Sequence, residues 1–224
     1  MKFSSKLFGG NHLSHLIGED INKFIKHFYE ETSIVLPEAK VSNSVSLNSS
    51  NLNKLQNGHF ALAIPDDLSI FVYFTIFEGK KLAFIICRKL EEGYSTPKIL
   101  VMNVDVNNDD IFKGTLFECT RIRVIEKNKN DARYFILISD VLFFCGKNIE
   151  KDLFLKRLEC ACIFLDEYYK ENFKKFPFRM QICTIYDRLR LIEQRISNLP
   201  YKIKYITFVS QNARTAKLIH SIEV

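Results

Sequence analysis

The chain has 224 residues, 47% hydrophobic and 26% charged, the ordinary balance of a globular protein long enough to bury a sizeable core. No run of 18 apolar residues occurs and Met1–Gly10 has no secretory apolar stretch, which argues against a membrane span or an exported chain and predicts no membrane partner. The net charge is +6, yet positions 170–217 alone carry eleven basic residues against three acidic ones, a block suited to a polyanion or to solvation.

In chain order, Leu13, Leu16, Ile17, Ile21, Phe24, Ile25 and Phe28 recur at three- and four-residue spacing and predict an amphipathic helix over 12–31. That helix would form an N-terminal helical segment, 1–36, packed on a single domain spanning 1–224 and closed off at Pro37. The Ser- and Asn-rich stretch 42–58 holds a short helix from Asn51, ended by Asn57-Gly58. Strands follow at 60–64, 68–77 and 81–87, the last two punctuated by Glu78-Gly79-Lys80 as a hairpin turn. Further strands are expected at 99–106, 114–125 and 133–144, separated by polar breaks at 107–110 and 127–131. A helix over 149–170, a strand at 178–184, a helix over 187–198 and a strand at 202–209 complete the chain. The pattern predicts an α+β fold of twisted, antiparallel-rich sheets with flanking helices.

The order of these elements resembles the nucleotidyltransferase domain of mRNA guanylyltransferases (capping enzymes) and polynucleotide ligases. Val45-Ser-Leu is similar to the segment before a short helix at the guanine pocket. Ile76-Phe-Glu78-Gly79-Lys-Lys81 is similar to Lys-x-Asp-Gly-x-Arg, with Gly79 kept, Glu78 for Asp, Lys81 for Arg, and Ile76 in the nucleophile's place. Arg88 matches the end of the family's Asp-Arg strand. Gly114-Thr-Leu-Phe-Glu118-Cys-Thr120 resembles Gly-Thr-Leu-Leu-Asp-Gly-Glu, with Thr120 replacing the ribose-contacting glutamate. The segment from Tyr134 through Asp140 and Gly146 to Arg157-Leu158 is the best match to the family pattern. Lys204 stands where Asp-Gly-Leu-Ile-Phe has its aspartate, and Lys217 echoes one of two terminal lysines.

Family chemistry needs a lysine amine attacking an α-phosphate, with carboxylates for metal and ribose and lysines for phosphate charge. The resemblance with those losses implies a pseudoenzyme: no catalytic residue, no metal site, no cofactor, and no OB-fold domain to close over a nucleotide. A relic pocket of Glu78, Gly79, Lys81, Arg88, Glu118, Thr120, Asp140, Lys202, Lys204 and Lys217 would then bind a capped RNA end, a nucleotide or RNA. The partners implied are protein subunits of a transcription or capping complex, viral or cellular. The alternatives are a scaffold subunit without nucleic-acid binding, and a divergent active nucleotidyltransferase using Lys80 or Lys81.

Other chemistry is poorly supported by spacing. The six cysteines are scattered, with Cys160-Ala-Cys162 the one near pair, which reads as free thiols in a reducing, cytoplasmic setting or in a virion. His12 and His15 read as surface residues, Gly9-Gly10 lacks the flanks of a phosphate loop, and Asp66-Asp67 and Asp109-Asp110 read as solvated turns.

Overall fold

The computed structural model describes residues 1–36, 44–55, 58–125, 132–187, 189–211 and 216–222. Pro37, Asn57, the 127–131 break, Arg188 and Arg214 lie outside the described residues. The chain opens with strands β1 (Phe3–Phe8) and β2 (Asn11–Leu16), then helix α1 (Glu19–Thr32) and the short strand β3 (Ser44–Ser46). Strands β4 (His59–Pro65), β5 (Ser69–Phe77), β6 (Lys80–Cys87), β7 (Ile99–Met102) and β8 (Asp105–Val106) follow. After a 3₁₀ turn at Asp109–Lys113 come the long pair β9 (Thr115–Ile125) and β10 (Ala132–Phe144), then β11 (Lys147–Asn148). Helix α2 (Phe154–Ile163) runs into a π-helical turn, Phe164–Tyr168, and into β12 (Tyr169–Lys170). The chain continues through β13 (Phe178–Ile182), β14 (Ile185–Tyr186), α3 (Leu189–Arg195), a 3₁₀ turn at Ile196–Asn198, β15 (Ile203–Ser210) and β16 (Lys217–Ser221).

These elements make an α+β fold dominated by sheet. One sheet runs β1-β2-β7-β6-β5-β9-β10-β11, with β13 also on β10; a second runs β14-β4-β15-β16-β3; β8 and β12 form a separate ribbon. Pairing is antiparallel except at β10–β13 and β16–β3. Alternation along β5 explains why the first sheet has two covered faces. Ile70, Val72 and Phe74 enter one core, while Phe71, Tyr73 and Phe77 enter another beneath α1 with Phe24 and Phe28. The second sheet packs through Leu62, Ile64 and Val209 against Ile122 and Leu137 of the first, with Phe154 and Leu158 of α2 closing the seam.

The expected helix over 12–31 begins too early. Residues 11–16 form β2, half of a hairpin whose two-residue turn, Gly9–Gly10, has φ of 53° and 75°. Positive φ at both central positions gives the turn whose twist matches paired strands. Gly18, at φ 63°, then separates β2 from α1, a conformation a continuous helix does not contain. The N-terminal segment is therefore an edge hairpin plus a helix. The 149–170 helix is likewise shorter, because its last residues leave α geometry and pair with Asp105 and Val106. That pairing also divides the expected 99–106 strand into β7 and β8. None of the described helices is long and apolar enough to cross a membrane.

Candidate functional site

The proposed site residues divide between two ends of the first sheet. At one end, Glu78 and Gly79 form the β5–β6 turn with φ of 49° and 73°. Ile76, 47% exposed, lies opposite Lys81 across the strand pair. Glu78 faces the N-terminal amine and Lys23, and Lys81 pairs with Asp109. At the other end lie Arg88, Glu118, Thr120, Asp140 and Lys217. Ser69, beside Arg88, and Ile76 are seven residues apart on β5, about 23 Å at strand rise. The structure thus separates residues that the sequence reading put in one pocket.

The second group is built from four elements. Along β9, Glu118, Thr120 and Ile122 alternate with Phe117 and Cys119, so the first three face the second sheet. Along β10 the same face would receive Leu137 and Ser139, but a register shift between Ile138 and Asp140 moves the phase by one. Asp140 consequently joins Leu137 on the inter-sheet side, while Ile138 and Val141 both serve the opposite core. Lys217 opens β16 of the second sheet and reaches across the seam. Its Nζ donates to Glu118 Oε2 at 3.0 Å and lies 2.9 Å from Asp140 Oδ2. Arg157 of α2 donates two parallel bonds to Asp140, from Nε at 2.8 Å and Nη2 at 3.0 Å. Its Nη1 also donates to the carbonyls of Asp152 and Glu150. Arg88, just beyond β6, donates to Glu118 Oε1 at 2.8 Å and to Ser69 Oγ at 3.2 Å, with its guanidinium over the Phe71 ring.

The result is a chain of charges, Arg88–Glu118–Lys217–Asp140–Arg157, sealed between sheets. The Asp140 side chain is 2% exposed and that of Lys217 is 12% exposed. Burial alone would push the Asp140 carboxyl up, but Lys217 and Arg157 outweigh it and hold the group below the ordinary carboxylate range. Burial opposes the charged form of Lys217 too, and Glu118 and Asp140 overcome it, so its ammonium is held more tightly than usual. Each cation here already has a carboxylate partner.

Lys202 and Lys204 are exposed, and Lys204 lies 3.5 Å from Asp66 rather than against the ion chain. The sequence reading missed Arg157 as a site neighbour. Its position in the Arg-Leu helix segment of the resemblance carried a sequence signal. Arg121, on the opposite face of β9 from Glu118 and Thr120, donates from Nη2 to Asp67 at 2.7 Å, with its guanidinium over the Phe8 ring.

No family model and no curated protein matches the chain. Function therefore rests on the geometry.

A second surface differs in kind. Gly9, Gly10, Asn11, Tyr134, Phe135, Phe173, Pro177 and Arg179 line a cavity of about 590 Å³ at the β1–β2 turn. Phe173 is 53% exposed and lies under the Arg179 guanidinium, 5.8 Å from the ring centre. Arg179 is paired with Glu171 and Lys175 with Asp105, which leaves Lys170 and Lys174 as the surplus charge of this segment. Among the described residues no group of three potential ligands converges on a metal position.

Proposed function

We propose that the chain is a non-catalytic, guanylyltransferase-like domain that binds single-stranded RNA within a transcription or capping assembly. What carries the reading is an exposed aromatic, Phe173, stacked with Arg179 at a cavity large enough for a nucleobase, in a segment that also holds the exposed Lys170 and Lys174. Base stacking on an aromatic ring with nearby cations for phosphates is the general design of single-strand binding. The reading moves the contact surface away from Arg88 and Lys217, whose charges are consumed inside the fold. Lack of catalysis is supported by Ile76 at the nucleophile's place and by the internal neutralisation of the cations that would meet phosphate.

Two measurements test it. Incubation with labelled GTP or ATP and a divalent metal should leave no covalent adduct on a denaturing gel, for the native chain and for Ile76→Lys, whose new amine would stand about 20 Å from the ion chain. A labelled band on the native chain would restore the active-enzyme alternative. Labelled single-stranded RNA should bind with a log–log salt slope of about −0.7 per phosphate contact. Phe173→Ala should weaken it by about 1–3 kcal/mol, and Lys170→Ala with Lys174→Ala should flatten the slope by about 1.4. RNA binding that is absent, or unchanged in both variants, would favour the scaffold reading, which the internal pairing of Lys175, Arg179 and Lys204 also suits.

A further inference from the structure

A separate cavity of about 320 Å³ lies where the β1–β2 hairpin, the loop before β7 and the start of α1 meet. Strand alternation puts Ser4 and Lys6 on one side of β1, and the hairpin register places His15 directly opposite Ser4. Thr96 and Lys98 enter from the loop, Tyr94 stands at the mouth, and Gly18 and Ile21 belong to the first turn of α1. No side chain caps that turn; the Ile21 amide donates to the Gly18 carbonyl at 3.2 Å.

His15 is the informative group. The residue is only 7% exposed, and its Nδ1 lies 3.4 Å from Ser4 Oγ. His15 lines the cavity, and its imidazole offers a ring N–H in either tautomer. Lys6 and Lys98 face it, against one lining carboxylate, Glu91, which pairs with Lys98. Glu19 and Asp20 occupy the first turn of α1 outside the lining, and Asp20 is engaged by the Lys2 amide. Burial first, and then Lys6 and Lys98, hold the imidazole's pKa below its ordinary value, which Glu91 only partly offsets. With Lys98 paired to Glu91, Lys6, which stands over the Tyr94 ring, is the surplus cation of a lining that also holds the imidazole and the Ser4 and Thr96 hydroxyls.

We propose that this cavity binds a phosphate group, free or carried by a small phosphomonoester, with Lys6 and Lys98 meeting its oxygens and the His15 imidazole donating to one of them. The cavity is at the small end of ligand sites, which suits a phosphate with a short substituent rather than a polymer. The proposal does not depend on the RNA reading, because its residues lie on a different surface.

The test is NMR of the His15 ring in the full chain during titration with inorganic phosphate, against sodium chloride at matched ionic strength. Phosphate should shift the His15 signal saturably and raise its titration midpoint, while His12, exposed and bonded to Ser5, stays as the internal control. Lys6→Met and Lys98→Met should each weaken the response by about tenfold, the loss expected for one charged hydrogen bond. Phe173→Ala should leave it unchanged, which separates a failure here from a failure of the RNA reading. Glycerol 3-phosphate and a nucleoside 5′-monophosphate then identify the carrier: tighter binding than phosphate assigns an ester, and weaker binding assigns the free ion. An equal response to chloride, or an unchanged response in both lysine variants, overturns the proposal.

Discussion

Asp140→Asn is expected to destabilise the fold by about 3–5 kcal/mol, the cost of removing one partner from a buried ion pair. The size follows from the charges left behind. The native chain of groups sets three cations, Arg88, Lys217 and Arg157, against two carboxylates, Glu118 and Asp140. Without the Asp140 charge, Arg157 keeps only backbone carbonyls, and Lys217 and Arg88 share Glu118. Lys217→Met should cost less, about 1–3 kcal/mol, because Glu118 retains Arg88 and Asp140 retains Arg157. Urea unfolding at neutral pH reads both, and an inverted order would mean that Lys217 rather than Arg157 compensates Asp140.

The acid limb gives an independent check on the same carboxyl. Because the Asp140 pKa is held below its ordinary value in the fold, the unfolded chain binds its proton more readily. Its contribution is therefore full above the ordinary aspartate pKa, about 4, and is lost as pH falls through the folded value. Stability of the native chain should decline below about pH 4, and Asp140→Asn should show a shallower decline.

Much of this cluster was legible as residues and none of it as pairing. Arg88, Glu118, Asp140 and Lys217 could be picked out because motif order marked them. Their mutual neutralisation depends on a one-residue shift at Ser139 and on β16 crossing the seam, features that periodicity does not encode. The bulge turns Asp140 from the face of Ile138 to that of Leu137, and a strand read as regular sends it the wrong way. The same limit applies to Ile76 and Arg88, adjacent in a motif description yet at opposite ends of a hairpin. Strand boundaries within the first sheet were well marked because β5, β6, β9 and β10 are rich in Val, Ile, Phe and Tyr between polar turns. The N-terminal hairpin was hidden because Leu13 and Leu16 also fit a helical spacing, and Gly9–Gly10 and Gly18 decide the matter through positive φ.

The helix that was legible, α1, should owe its place to Phe24. The ring is fully buried and meets four aromatic neighbours: Phe84 at 4.5 Å between centroids, Phe77 at 5.5 Å, Phe28 at 6.2 Å and Tyr73 at 6.3 Å. The helix leans on this contact, since no side chain caps its first turn and its charged residues point outward or engage the sheet rim. Phe24→Ala should therefore cost about 3–5 kcal/mol, the transfer of a phenyl ring plus a cavity that surrounding rings are too rigid to collapse. Tyr29, on the same helix and 52% exposed, is the matched control, and its replacement by alanine should stay within about 0.5 kcal/mol. Below Phe24, Glu31 accepts hydrogen bonds from the Tyr73 and Thr75 hydroxyls, so part of the docking is polar and survives the substitution. Amide exchange then distinguishes two modes of loss. If the aromatic contact holds the helix, protection in α1 should fall further than in β9 and β10 of the same variant; a uniform fall would mean that α1 and the sheet unfold as one unit and that Phe24 stabilises both alike.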